Sequence, residues 1–471
     1  MGLTATGARL LVPVLVSLVL FSCRWAVAAP CQQPAVSLVA GAECFLVPVA
    51  AGAQVHAIRL AASGSGPYGA PVLVLTGGPA FRTGNNLASL AAAPDLLALR
   101  VKHDLILMDS RGVWPSRPGM LCPALMSWLA PNDIDRSAVA TCTASAKAMR
   151  WDVEALTPER AAQDAMEVRR ALGIERWGVQ ASSWDSRVAL HLARIEPDRV
   201  IGVVLQAPAA TEGPVLDERY ARQRVVVLSR FIEDCLSQQK CRAGYPSLAE
   251  KVSTALKTLE TSELPVDLPN STGQRINFSL TPKAFVAAVL GQSGTSDLAK
   301  VPAITHALAQ VAERRVMLPD SAATLLGVRR PLLEQVAAFP FATQICAAQR
   351  GAEPLAAVAS RVGPRAGIWS DLRLLSVCDS LPEIGDVSVA GPFPASVPLL
   401  ILSGRYDATV PESVARDLAS GTKAQWVLVQ SSGHALGLNA CAARLGAIFL
   451  ADPDASLPVA CADEPLSFAV Q

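Results

Sequence analysis

Short aliphatic runs bounded by Gly, Pro and Asp recur through the first 210 residues: "CFLVPV" from Cys44, "PVLVLT" from Pro71, "DLILMD" from Asp104, "RWGVQA" from Arg176 and "VIGVVLQAP" from Val200. They are apolar throughout rather than alternating, so they predict strands buried on both faces. Helical patterns lie between them. From Thr157 to Leu172, for example, Thr157 is placed to cap a helix whose first residue is Pro158. Strands alternating with helices in this way predict a parallel sheet covered on both sides. From about Thr211 the pattern changes to helix after helix without a convincing strand, and alternation resumes at "VPLLILSG" (397–404) and "QWVLVQSSG" (425–433). The expected fold class is therefore α/β, a mostly parallel doubly wound sheet with an inserted helical cap domain. The expected boundaries are a core over 29–210 and 396–471 and a cap over 211–395.

With 471 residues and 51% hydrophobic side chains, the chain can bury a large core and carry a second module. Lys and Arg number 41 against 40 Asp and Glu, which leaves no net field to attract nucleic acid or an anionic membrane. Small or neutral substrates fit that balance. Arg9, the apolar run Leu10 to Phe21 and the small residues Ala26 and Ala28 read as a secretory signal over 1–28, cleaved after Ala28. The run is too short for the roughly 20 residues that span a bilayer, so a secreted or periplasmic protein without stable membrane insertion is expected.

Of the eleven cysteines, Cys23 lies in the leader, and the remaining ten suit an oxidising compartment. They fall as sequence neighbours: Cys31 with Cys44, Cys122 with Cys142, Cys235 with Cys241, Cys346 with Cys378, and Cys441 with Cys461. Spacing alone does not fix that connectivity. No C-x-x-C occurs and there are five histidines, so neither a metal nor another cofactor is expected.

Ser183, Asp407 and His434 each lie just past a predicted strand, where open α/β sheets present their ligands. A serine hydroxyl needs an imidazole to take its proton, and the imidazole needs a carboxylate to fix its tautomer. The order Ser, acid, His is the one found in α/β-hydrolases. Ser182 is a rival nucleophile, but the following "RVAL" favours Ser183. Gly77 and Gly78, directly after a strand, let backbone N–H groups approach a developing oxyanion, and the Trp184 N–H is the second expected donor.

These segments together resemble the proline iminopeptidase and tripeptidyl aminopeptidase branch of the α/β-hydrolases, exported bacterial enzymes with a TAP-like C-terminal region. "TGGPA" (76–80) is similar to that branch's H-G-G-P-G, "DSRGVWPS" (109–116) to its D-Q-R-G-x-G-x-S, and "SSWDSRVAL" (182–190) to its x-S-Y-G-T-R-x-A-L. "NACAARLGAIFLADPDASLPVAC" (439–461) resembles its closing helix with two flanking cysteines. The resemblance implies an α/β-hydrolase fold and hydrolysis of an amide or ester in a small peptide or ester substrate through an acyl-enzyme. Peptidase action at a free N-terminus is the branch's default.

The departures are specific. Ala181 and Asp185 replace both glycines of G-x-S-x-G, Thr76 and Ala80 replace the ends of H-G-G-P-G, and Trp114 replaces a glycine in the arginine loop. Where relatives place amine-binding acids, this chain has Ala348 and Gln349. An esterase on the same triad and an impaired hydrolase-fold binding protein are the alternatives. Asp185 is expected to place a negative charge near the oxyanion and slow the reaction, and Arg111 to organise the glycine loop.

Overall fold

The computed structural model describes residues 28–66, 68–127, 134–269, 275–291, 298–314, 336–363 and 373–470. The expected leader, apart from Ala28, lies outside the described residues, as does Cys23. Among the described residues there are eleven strands: β1 (Ala29–Pro30), β2 (Ala42–Pro48), β3 (Gln54–Leu60), β4 (Val72–Leu75), β5 (Leu105–Asp109), β6 (Trp177–Ser182), β7 (Val200–Gln206), β8 (Leu264–Pro269), β9 (Arg275–Leu280), β10 (Leu399–Gly404) and β11 (Gln425–Val429). Nine form one sheet in the order β1-β2-β3-β5-β4-β6-β7-β10-β11. From β5 to β11 neighbouring strands run parallel, while β3 is antiparallel to both β2 and β5.

The uniformly apolar strands have a simple cause. Successive side chains leave a strand on opposite faces, and here both faces are covered. Leu73, Leu75, Val179 and Leu205 pack against the helices Pro158–Ala171 and Ser186–Ile195. Val72, Val74, Val204 and Leu400 pack against the helices Pro94–Arg100 and Ala440–Ala451. The Thr157 hydroxyl accepts from Arg160 N at 3.2 Å, with Pro158 opening the helix as its sequence predicts.

A separate core fills the insertion, where the helices Glu218–Ser237, Leu248–Thr261, Pro282–Leu290 and Val301–Arg314 enclose Phe231, Leu256, Phe285 and Ile304. Tyr406 and Ala408, from the loop after β10, are part of that same core. The cap thus grips the loop that carries Asp407.

Two expectations need correction. The insertion contains an antiparallel hairpin, β8 with β9, in which Leu264 faces Leu280 and Val266 faces Phe278. Both strands alternate apolar and polar positions, but two prolines in "LPVDLP" argue against a strand. The second omission was β3, whose sequence "QVHAIRL" interrupts its apolar positions with Gln54, His56 and Arg59.

All ten cysteines of the described chain are joined as the five neighbour pairs expected. Among the described residues, no helix is long and apolar enough to cross a membrane. Thiol titration of the denatured, unreduced chain from Ala29 onward should detect no free thiol. Two or more reactive thiols per chain would contradict the pairing.

Candidate active site

β6 ends at Ser182, and Ser183 turns the chain into the helix Ser186–Ile195 with φ of 52°. That left-handed backbone is unfavourable for a residue with a side chain and persists only where surroundings enforce it. The Ser183 carbonyl accepts from Ala209 N at 3.0 Å and from the Ser186 hydroxyl at 2.7 Å. Ser182 remains in the strand, opposite Gln206 of β7, whereas Ser183 stands on the turn. Trp184 is buried against the cap. Its Nε1 donates to Gln344 Oε1 at 3.2 Å, and the Arg187 guanidinium lies 4.4 Å from its ring centroid. Arg187 in turn donates to the Ala210 and Val387 carbonyls, both at 2.8 Å.

The acid and histidine stand on loops packed directly together. A Cβ on Gly404, the last residue of β10, would lie 2.1 Å from the Gly433 carbonyl oxygen, so only glycine fits there. Arg405 N donates to Val429 O at 3.1 Å and Tyr406 N to Ser432 O at 2.9 Å. Asp407 is buried, and its Oδ1 accepts from Thr409 N at 2.8 Å and Val410 N at 2.9 Å. Its Oδ2 lies 2.8 Å from His434 Nδ1. Gln223 of the cap donates to the Asp407 carbonyl at 2.9 Å. Burial disfavours the His434 imidazolium, but the charge and hydrogen bond of Asp407 outweigh it and hold the pKa above the ordinary histidine value.

The glycine loop comes close to the nucleophile turn. A Cβ on Gly77 would lie 3.1 Å from Ser182 O and 3.5 Å from Ser183 Cβ. Gly77 and Gly78 have φ of 95° and 130°, which side chains rarely allow. Gly77 was expected to offer its N–H to a ligand. Instead that N–H donates to Asp185 Oδ2 at 2.9 Å, because an aspartate two residues after Ser183 reaches across to the loop. Gly78 and Trp184 are the two expected donors that Asp185 does not occupy. Burial pushes the Asp185 carboxyl up to about 7, opposed by the Gly77 hydrogen bond.

Other residues have clear structural duties. Arg111, expected to organise the glycine loop, instead bonds Asp164 at two points, 2.8 and 2.6 Å, in a buried pair that ties its loop to the helix Pro158–Ala171. His56 and Asp109 form a second buried pair at 2.7 Å. The one group of three potential metal ligands among the described residues is Cys31, Cys44 and His56, and its two cysteines are joined in a disulfide. Gln349 bonds both backbone groups of Leu216, and Asp234 is engaged by Arg405 and the Tyr406 hydroxyl. Both side chains are thus engaged within the protein. The contacts of Asp185 with Gly77 and Trp184 with Gln344 have no local sequence signature, since each joins segments more than a hundred residues apart.

Residues 70–283 match the family model described as alpha/beta hydrolase fold, and residues 368–460 match the one described as TAP-like protein. Similar solved structures include an alpha/beta hydrolase fold protein from Nakamurella multipartita, at 16% identity over 86% of this chain and 98% of that one, with a TM-score of 0.37. A proline iminopeptidase from Mycobacterium smegmatis is 15% identical over 86% of this chain and 97% of its own, with a TM-score of 0.39. The carboxylesterase CesB from Bacillus subtilis is 14% identical over 89% and 95%, with a TM-score of 0.39. Among curated proteins, no sequence matches.

The Asp407–His434 pair makes one electrostatic prediction. His434 should titrate above the ordinary imidazole value of about 6.5, and Asp407→Asn should lower that pKa. Histidine NMR titration of both proteins checks this. An unchanged His434 pKa in the folded variant would contradict the stated cause.

Proposed function

Because the chain belongs to the α/β-hydrolase family and carries a TAP-like C-terminal region, we propose that it is an exported serine hydrolase cleaving amide or ester bonds through an acyl-enzyme. The observation that carries this reading is the Asp407–His434 bond of 2.8 Å, on the sheet edge where Ser183 occupies its strained turn. In the proposed reaction His434 Nε2 takes the Ser183 hydroxyl proton while Oγ attacks the substrate carbonyl carbon. The oxyanion is stabilised by the Gly78 and Trp184 N–H groups. His434 returns the proton to the leaving group as the bond breaks, and water then repeats the sequence on the acyl-enzyme. The five disulfides support export, since such bonds persist in oxidising compartments.

The described cap positions beside Trp184 support an uncharged acyl group over a free amine. Helix Ala338–Ala348, which meets Trp184 through Gln344, contains no acidic residue. Asp234 is committed to Arg405, and Glu233 faces solvent. Nothing in these positions offsets the desolvation of a substrate ammonium. A second reading, a hydrolase-fold binding protein, is motivated by Asp185 occupying the Gly77 N–H.

A fluorophosphonate should label Ser183, and Ser183→Ala or His434→Ala should abolish labelling without loss of fold, as peptide mass spectrometry would read. An unmodified Ser183 in folded protein favours the binding-protein reading. Blocking the amine of a peptide substrate should change kcat/KM by less than about tenfold, or 1.4 kcal/mol. A far larger preference for the free amine would place an unrecognised acid in the cleft.

A further inference from the structure

We propose that Asp185 is a positioning residue of this site, its carboxyl acting as a clasp that holds the Gly77–Gly78 backbone against the turn at Ser183. The inference rests on the hydrolase reading and deepens it. The oxyanion hole requires two N–H groups from segments remote in sequence to converge on one oxygen, and a displacement of even an ångström is costly. One donor, Trp184, is fixed by its buried indole. The other, Gly78, sits in a stretch with two consecutive glycines at positive φ, where the backbone has the greatest freedom to lose on ordering.

The Gly77 N–H to Asp185 Oδ2 bond of 2.9 Å joins that stretch directly to the first helical turn after Ser183. It acts where the two backbones come together, since a Cβ on Gly77 would lie 3.1 Å from Ser182 O, tighter than an ordinary contact. Asp185 lies two residues beyond Ser183, so the clasp and the nucleophile move as one rigid turn. A glycine at 185 would make no such bond, and the aspartate supplies by hydrogen bonding what close backbone packing alone would otherwise provide.

The acceptor works in either protonation state, but the charge does not. Of the charged and titratable groups on the adjoining elements, Arg187, His191 and Arg194 lie on the same helix, Arg82 follows the glycine loop, and Asp407 and His434 pair on the loops after β10 and β11. Arg187 is turned onto the Trp184 ring, and His434 is paired with Asp407. Near neutrality burial keeps much of the Asp185 carboxyl uncharged. Above that range its ionisation sets a negative charge beside the developing oxyanion. The wild type should therefore show a descending limb in kcat/KM above about pH 7. Asp185→Asn keeps an acceptor oxygen for Gly77 and lacks the charge, so it should lose that limb.

Steady-state kinetics on a small activated ester, combined with hydrogen exchange at the Gly77 amide, tests the clasp. In Asp185→Ala, kcat should fall by about tenfold or more with KM nearly unchanged, and Gly77 exchange should accelerate by a similar factor. Asp185→Asn should retain wild-type kcat near pH 6.5 and wild-type protection of Gly77. An Ala variant as fast as or faster than the wild type would overturn the proposal and make Asp185 an impediment. Unchanged Gly77 exchange in that folded variant, or a descending limb that persists in Asp185→Asn, would overturn it as well. If the wild type itself neither turns over esters nor reacts with a phosphonate, the hydrolase reading fails. The exchange measurement then decides separately whether the clasp exists.

Discussion

The close approach of the Gly77 backbone to Ser182 and Ser183 is the constraint on which the site depends. A Cβ on Gly77 would lie 3.1 Å from a carbonyl oxygen, tighter than an ordinary contact, and its φ of 95° disfavours a side chain, so two loops from neighbouring strands meet here with little room to spare. Parallel strand order produces this meeting. β4 and β6 are adjacent, so the segments leaving their carboxyl ends emerge side by side. β7 and β10 continue the same edge and place the Asp407 loop within reach of β11 and His434. The left-handed backbone at Ser183 is the local cost, held by two hydrogen bonds to its carbonyl.

The cap is mechanically part of this edge. Tyr406 and Ala408 bury themselves in the cap core, Tyr406 stacks on Phe231 with centroids 4.6 Å apart, and Gln223 holds the Asp407 carbonyl. On the other side Gln344 holds Trp184. A rearrangement of the cap would thus be felt at the acid and at a candidate oxyanion donor together. On the proposed reading, this packing couples substrate fit to catalytic geometry.

The sheet was legible because its strands are buried on both faces, so continuous apolar runs such as "LILMD" mark them without ambiguity. β3 escaped because His56 and Arg59 interrupt its run, and His56 is buried only by virtue of its pairing with Asp109. The β8–β9 hairpin escaped because its first strand carries two prolines, Pro265 and Pro269. Asp407 and His434 were readable from their places after strands, since topology alone brings strand ends together. The duty of Arg111 was not, because its partner Asp164 lies on a helix whose docking angle no local pattern encodes. Asp185 was visible as a substitution, but its sign of action depends on where a carboxyl oxygen points, and that is a property of the assembled fold.

The central claim is that this sheet edge makes Ser183 a nucleophile. Rapid mixing with a slowly deacylating ester, followed by acid quench and intact-protein mass measurement, tests it most directly. The account predicts one acyl group per chain, mapped to the peptide bearing Ser183 and absent from Ser183→Ala. Turnover of the ester without any acyl-protein, or acylation that survives Ser183→Ala, would contradict it.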